Sequence, residues 1–119
     1  MAQHWKLDRD DAGIAWLCLD RADARANTLA SFVIRELDAL LDELAANPPT
    51  GLVMYSGKPG GFIMGADINE FGDLGSSGEV AGLAKLGQGV FLKIRRLPCP
   101  TVAAVNGVCL GGGLEIAMM

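Results

Sequence analysis

A helix-spaced apolar stripe followed at once by a short, wholly apolar run does most to restrict what this chain can fold into. Val33, Leu37, Leu40, Leu41 and Leu44 recur on one face of a stretch from about Leu29 to Ala46. Asn27 or Thr28 can cap its start, and Asn47-Pro48-Pro49 stops it. Gly51 to Tyr55 then carries no charge and reads as a strand buried on both faces. Upstream, Trp5 to Arg9 and the strongly apolar Ile14 to Leu19 flank the turn Asp10-Asp11-Ala12-Gly13, as in a hairpin. Strand, helix, strand in this order implies a right-handed crossover and a parallel sheet, so the class is α/β.

The remainder continues the alternation. Ser56 to Gly65 reads as a glycine-rich loop, with a short helical turn near Asp67 to Phe71 and a loose polar stretch from Gly72 to Gly78. A second long helix is expected from about Glu79 to Leu97, with Val80, Leu83, Gly87, Val90, Phe91 and Ile94 on one face. Its glycines, Gly82, Gly87 and Gly89, cost about 1 kcal/mol each relative to alanine and suggest close packing against a neighbour. Pro98 and Pro100 end it, and Thr101 to Val105 reads as a fourth strand. After Gly111-Gly112-Gly113 a helix begins at Leu114 and runs apolar to Met119, without a C-cap or polar tail. That ending is expected of the N-terminal piece of a longer protein, or of a truncated one.

Composition narrows the partners and the chemistry. The 119 residues, 50% hydrophobic and 20% charged, suit one globular domain or part of a larger one. A net charge of -4 gives no support to a general grip on nucleic acid. The basic run Lys93, Arg95, Arg96 is either a solvated helix end or a site for an anionic ligand. Cys18 and Cys109 sit in apolar surroundings, and with Cys99 their spacing fits neither a zinc site nor a disulfide framework. They read as buried thiols in a reducing compartment. The N-terminus lacks an apolar signal region and no apolar run is long enough to span a bilayer, so the expectation is a cytoplasmic protein with no membrane partner. His4 is the sole histidine, near a strand start. A Ser-His or Cys-His nucleophile needs an imidazole elsewhere, which points to a carboxylate as general acid or base.

Two segments carry the chemistry. Gly111-Gly112-Gly113, between a buried strand and a helix, leaves backbone N–H groups uncovered at the positive end of the helix dipole. It reads either as a site for an anion or developing oxyanion, or as a flexible turn. No Gly-Lys-Ser/Thr follows, which excludes a P-loop, and a dinucleotide fingerprint would sit too late in the chain. Glu115, two residues on, either complements the dipole or is a carboxylate held beside the turn. Its apolar neighbours predict partial burial, which would raise its pKa. The second segment, Gly60-Gly61-Phe62-Ile63-Met64-Gly65-Ala66-Asp67-Ile68-Asn69-Glu70-Phe71, repeats the pattern, with Asp67 as a natural N-cap. Two donor-rich turns after parallel strands can converge at the C-terminal edge of one sheet.

Gly65-Ala66-Asp67-Ile68 together with Val105-Asn106-Gly107-Val108-Cys109-Leu110-Gly111-Gly112-Gly113-Leu114-Glu115 resembles the crotonase, or enoyl-CoA hydratase/isomerase, superfamily. The resemblance covers nearly the whole chain. It includes the N-terminal hairpin, the Arg-Ala-Asn-Thr-Leu segment and the Thr-Val-Ala-Ala-Val strand, and looks closest to the N-terminal hydratase part of multifunctional fatty-acid oxidation proteins. It implies an α/β, crotonase-like (ClpP/crotonase) fold of repeated ββα units, with residues 1–119 as the N-terminal part of a hydratase domain.

The resemblance also implies roles. The N–H groups of Ala66 and Gly112 would bind a thioester carbonyl oxygen as it becomes an enolate. Asp67, Ile68 and Asn69 would line the CoA and acyl entrance, and Arg25 and Ala26 the loop near the CoA adenine and phosphates. Glu115 matches the first of two hydratase glutamates, which hold a water for syn addition across the double bond of trans-2-enoyl-CoA. The second would lie beyond Met119. The expected reaction is hydration to 3-hydroxyacyl-CoA in β-oxidation. The alternatives are an isomerase or other acyl-CoA enzyme of the family, or a truncated, non-catalytic module that binds CoA esters. No metal and no resident cofactor are implied; CoA belongs to the substrate, and NAD would enter only with a following dehydrogenase domain. A homo-oligomer or a thiolase-containing complex is the implied assembly of the full-length protein.

Overall fold

The computed structural model describes residues 4–22, 24–65 and 77–119. The expected hairpin is there: β1 (Trp5–Arg9) pairs antiparallel with β2 (Ile14–Leu19). Asp10 makes the turn. Its Oδ1 accepts the N–H groups of Ala12 and Ile14 at 3.0 and 2.9 Å, and its Oδ2 accepts the Trp16 indole N–H at 2.9 Å. That indole bond, with the Ile14 N–H next, holds the Asp10 carboxyl below its ordinary range.

Helix α1 (Ser31–Ala46) follows, and β3 (Gly51–Ser56) returns parallel to β2. A further strand, β5 (Thr101–Ala104), lies parallel to β3, giving the order β1-β2-β3-β5. Helix α2 (Ser77–Arg95) packs beside α1. Alternation sends Ala15, Leu17, Leu52 and Met54 to one face of the sheet, where they are buried. Val33, Leu37, Leu41 and Leu44 of α1 and Val90, Phe91 and Ile94 of α2 complete that core. Each of these side chains larger than alanine contributes about 1.5–3 kcal/mol on burial. Lys93 of α2 adds ion pairs to Asp38 and Asp42 of α1.

Several expectations are corrected. Neither Asn27 nor Thr28 caps α1; its N-cap is Ala30, without a side-chain bond, because both candidate side chains are engaged elsewhere. Leu29 precedes the helix and donates its N–H to Gly65 O at 2.7 Å. Strand β3 is buried on one face only, with Val53 and Tyr55 half-buried. The glycine-rich loop contains a strand, β4 (Gly61–Ile63), and the stretch before Gly111 contains another, β6 (Val108–Cys109). They pair parallel in a second, two-stranded sheet. Both were hidden because a strand of two or three residues has no readable period. Helix α2 begins at Ser77, so Gly78 is helical. Cys18 is buried, Cys109 only half-buried, and all three cysteines are free. The expected turn at Asp67 to Phe71 lies outside the described residues.

The last helix, α3 (Gly112–Met118), buries Gly113 and Ile116. A methyl on Gly113 would overlap Ile63 of β4, with Cβ 2.6 Å away and the carbonyl oxygen also too close. The α2 glycines differ. Gly82 and Gly89 have open space, and only Gly87 meets α1, at an ordinary 3.7 Å from Ile34 Cδ1. Close packing is therefore not their common purpose. In urea denaturation, Gly113→Ala is expected to destabilise by about 1–3 kcal/mol through overpacking. Gly89→Ala is expected to stabilise by about 0.5–1 kcal/mol through helix propensity. Equal effects at the two positions would contradict this packing.

Candidate active site

Asn27 sits where the strand ends converge and is 2% exposed. Its Nδ2 donates to Leu19 O at the end of β2 (2.8 Å), to Ser56 Oγ at the end of β3 (2.9 Å) and to Phe62 O in β4 (3.0 Å). Its Oδ1 accepts the Arg21 N–H at 3.0 Å. With two hydrogens for three acceptors, one bond is shared. The backbone continues the tie: Met64 N–H donates to Asn27 O at 2.8 Å, ahead of the Leu29–Gly65 bond. The segment from Asn27 to Leu29 is thereby laid along Met64 and Gly65.

Gly65 in turn meets the second glycine turn. Its φ of +103° is one that side chains rarely adopt, and a methyl there would lie 3.3 Å from Leu110 O and 3.6 Å from Gly111 Cα. Gly111 has φ +50°, and a methyl on it would lie 3.5 Å from Gly65 Cα. Leu110 N–H donates to Ile63 O at 3.0 Å, so β4 and the run into α3 are bonded just before they touch. The two segments singled out in the sequence therefore converge.

Gly112 opens α3. Among the described residues its N–H donates to no backbone carbonyl, whereas those of Gly113 and Leu114 go to Leu110 O and that of Glu115 to Gly111 O. Glu115 is exposed, which corrects the expected burial. The buried stripe of α3 runs through Gly113 and Ile116, and one residue on a helix turns through about 100°, enough to carry Glu115 off that stripe. Ala66, Asp67, Ile68 and Asn69 lie outside the described residues.

Arg25 and Ala26 line a cleft of about 160 Å³, together with Asn27, Lys58, Met64 and Val108. Lys58 had not been singled out. Its Nζ is 2.7 Å from Asp20 Oδ1 and donates to Arg21 O at 2.8 Å. Its only sequence signal is a lysine just past a buried parallel strand, at the edge where α/β sheets bind ligands. The other expected cations divide. Lys93 is taken up by the α1 acids, while Arg95 and Arg96 are exposed at the end of α2. The lone histidine is structural: buried His4 accepts the Ala22 N–H through Nδ1 at 3.1 Å.

Residues 9–119 match the family described as Enoyl-CoA hydratase/isomerase. The chain belongs to this family. It is 44% identical over 112 residues to the fatty acid oxidation complex subunit alpha of Aliivibrio fischeri, an alignment spanning 92% of this chain and 16% of that protein. The namesake in Idiomarina loihiensis is 43% identical over 111 residues, with the same two shares. An enoyl-CoA hydratase structure from Mycobacterium smegmatis superposes with a TM-score of 0.88 at 27% identity, covering 97% of this chain and 44% of that one. One from Bacillus anthracis, 24% identical, shares the fold at a TM-score of 0.90, covering 98% of this chain and 45% of its own. The family resemblance and the α/β, crotonase-like fold are both borne out. The chain spans 16% of the length of these curated relatives and less than half of the solved structures. No helix among the described residues is long and apolar enough to cross a membrane.

The contact of Gly65 with Gly111 has a measurable signature. Each of Gly65→Ala and Gly111→Ala is expected to destabilise by about 1–3 kcal/mol, from positive φ and crowding. The double variant should lose less than the sum, because the first methyl already parts the two backbones. Urea titration of the four proteins gives the coupling, and strict additivity would mean that the turns do not press on one another.

Proposed function

We propose that the whole protein hydrates trans-2-enoyl-CoA to 3-hydroxyacyl-CoA in fatty-acid oxidation, on an oxyanion hole shared between the two glycine turns. The observation that carries this reading is the convergence of Gly65 with Leu110 and Gly111 in a chain of this family. In the reading, the N–H of Gly112 is one donor to the thioester oxygen and that of Ala66 the other. One such donor is worth about 2.7–4 kcal/mol of activation free energy, so two account for much of the barrier lowering. Conjugate addition of water puts negative charge on that oxygen as the enolate forms, and protonation at the α carbon discharges it. Glu115 is the carboxylate proposed to act on the water, with a second acid from the rest of the protein. Its exposure leaves it open to water here.

The cleft beside Arg25 is proposed to hold CoA phosphates, with Arg25 and Lys58 supplying charge and Ala26 lining the same wall. Asp67, Ile68 and Asn69 are assigned to the acyl entrance by resemblance. The names of the relatives favour a place in a fatty acid oxidation complex, and a cytoplasmic location goes with that reading.

The family's own description includes isomerases, which keeps that chemistry as the second reading. In the whole protein, Glu115→Gln is expected to lower kcat for 2-enoyl-CoA hydration by at least about 10²-fold, with little change in affinity for the CoA ester. Chromatographic analysis of products from 2-enoyl-CoA and 3-enoyl-CoA separates the readings. A near-normal hydration rate in the variant removes Glu115 from the chemistry. Conversion of 3-enoyl to 2-enoyl-CoA without hydration makes the protein an isomerase. Arg25→Ala should weaken CoA binding several-fold in calorimetry, more at low salt than at high.

A further inference from the structure

We propose that Asn27 is a positioning residue for the acyl-thioester site, its buried amide setting where the Gly65 turn meets Leu110 and Gly111. The inference rests on the acyl-CoA reading above and assigns the part of the fold that holds that site in register.

The argument starts from the amide's partners. Leu19 and Ser56 end two strands of the four-stranded sheet, and Phe62 lies in the two-stranded one. One side chain thus bridges both sheets. Its orientation is determined. A flipped amide would turn its oxygen toward the carbonyl oxygens of Leu19 and Phe62, and its NH₂ toward the Arg21 N–H. Such a buried, fully engaged polar group specifies one arrangement rather than several.

From the amide to the turn is a short path. Phe62 O is bonded to the side chain, Met64 N–H to the backbone oxygen of the same residue, and Gly65 O to Leu29 N–H two residues on. Gly65 then touches Leu110 and Gly111 directly, while Ile63 O takes the Leu110 N–H. A shift of Asn27 therefore reaches the contact between the turns without a flexible link. Asn27 also lines the cleft with Arg25 and Lys58, so the same residue borders the proposed phosphate end. Displacement of a catalytic group by about 1 Å can cost about 10²-fold in rate. That sensitivity makes the position of the turns, and not merely their stability, a property the amide controls.

The test uses the whole protein, with Asn27→Asp and Asn27→Ser. The first keeps the shape but sets a carboxylate against two carbonyl oxygens; the second removes the reach. Two probes are read on folded protein, checked by circular dichroism: CoA itself, and butyryl-CoA carrying ¹³C at its thioester carbonyl. Butyryl-CoA is saturated and cannot be hydrated, so carbonyl polarisation by the site can be read at equilibrium by ¹³C NMR or vibrational spectroscopy. The expected result is a wild-type polarisation that both variants largely lose and a kcat lower by about 10²-fold, with CoA affinity changed by no more than about twofold in the uncharged Asn27→Ser and weakened in Asn27→Asp, whose carboxylate repels the phosphates. Lowering the pH should partly restore the polarisation in Asn27→Asp, because the protonated acid regains one donor. Folded variants with wild-type polarisation and kcat would overturn the proposal. So would failure of both variants to fold, which would make Asn27 a stability residue alone. A wild-type protein that leaves the carbonyl unpolarised overturns the acyl-CoA reading itself, and this inference with it.

Discussion

An amide side chain offers two N–H donors and one carbonyl acceptor, and at Asn27 all of them are used inside the protein. The arrangement of the two sheets depends on that joint. Each buried bond stabilises by only about 1 kcal/mol net, but a partner left unmade costs about 1–3 kcal/mol, so the joint is costly to open. The backbone on either side depends on it as well. The stretch from Asn27 to Leu29 is held extended against Met64 and Gly65, which delays α1 until Ser31 and leaves the helix without a side-chain cap. A cap lost at the helix start is the cost of a joint gained between sheets.

What the joint brings together is backbone, and backbone can approach backbone only where side chains are missing. Gly107, with φ +64°, would place a methyl 2.8 Å from Gly60 O, and Gly61 would place one 3.1 Å from Val108 O. With Gly65, Gly111 and Gly113 these positions form a seam along which β4 lies against β6 and the start of α3. The seam explains why so many glycines fall between strands and helices here. It also explains why their effect differs from that of the exposed glycines of α2, which meet nothing.

Most of the frame was legible in the sequence because its periods are long enough to read. The hairpin, α1, β3 and α2 follow from apolar spacing and proline stops, and the parallel order from strand, helix, strand. Of the candidate site, Arg25 and Ala26 were marked only through the family resemblance, while the meeting of the two glycine segments was legible. The short strands were not, since Val108–Cys109 has no period of its own and exists only through its partner. Nor was the work of Asn27. Its type and place before an apolar stripe point to a helix cap, and only tertiary contacts reveal acceptors at Leu19, Ser56 and Phe62. Apolar neighbours in sequence suggest burial of Glu115, but they are not its neighbours in space. On a helix they lie on other faces.

Charge is distributed so that the frame is braced by closed pairs. Lys93 is held by Asp38 and Asp42, and those hydrogen bonds raise its pKa above the ordinary lysine value. A raised pKa means that the pairing is fully present below the unfolded value and is lost only as pH rises through the folded one, so at neutral pH the clamp between α1 and α2 is intact. Being largely exposed, it braces more than it stabilises. Lys58 is different. Its ammonium is partly neutralised by Asp20 and anchored on Arg21 O, yet it still lines the cleft beside Arg25. The tether narrows the positions open to the ammonium, so in the proposed reading an anion entering this cleft would meet a charge already in place. Preorganisation of that kind lowers the entropy cost of binding. The same logic applies to the glycine turns: the Asn27 joint and the glycine seam hold Gly65 against Leu110 and Gly111 before any substrate arrives. In the proposed reading, the thioester chemistry common to the family then resides in this rigid backbone, and the choice between hydration and isomerisation falls to Glu115 and whatever acid faces it.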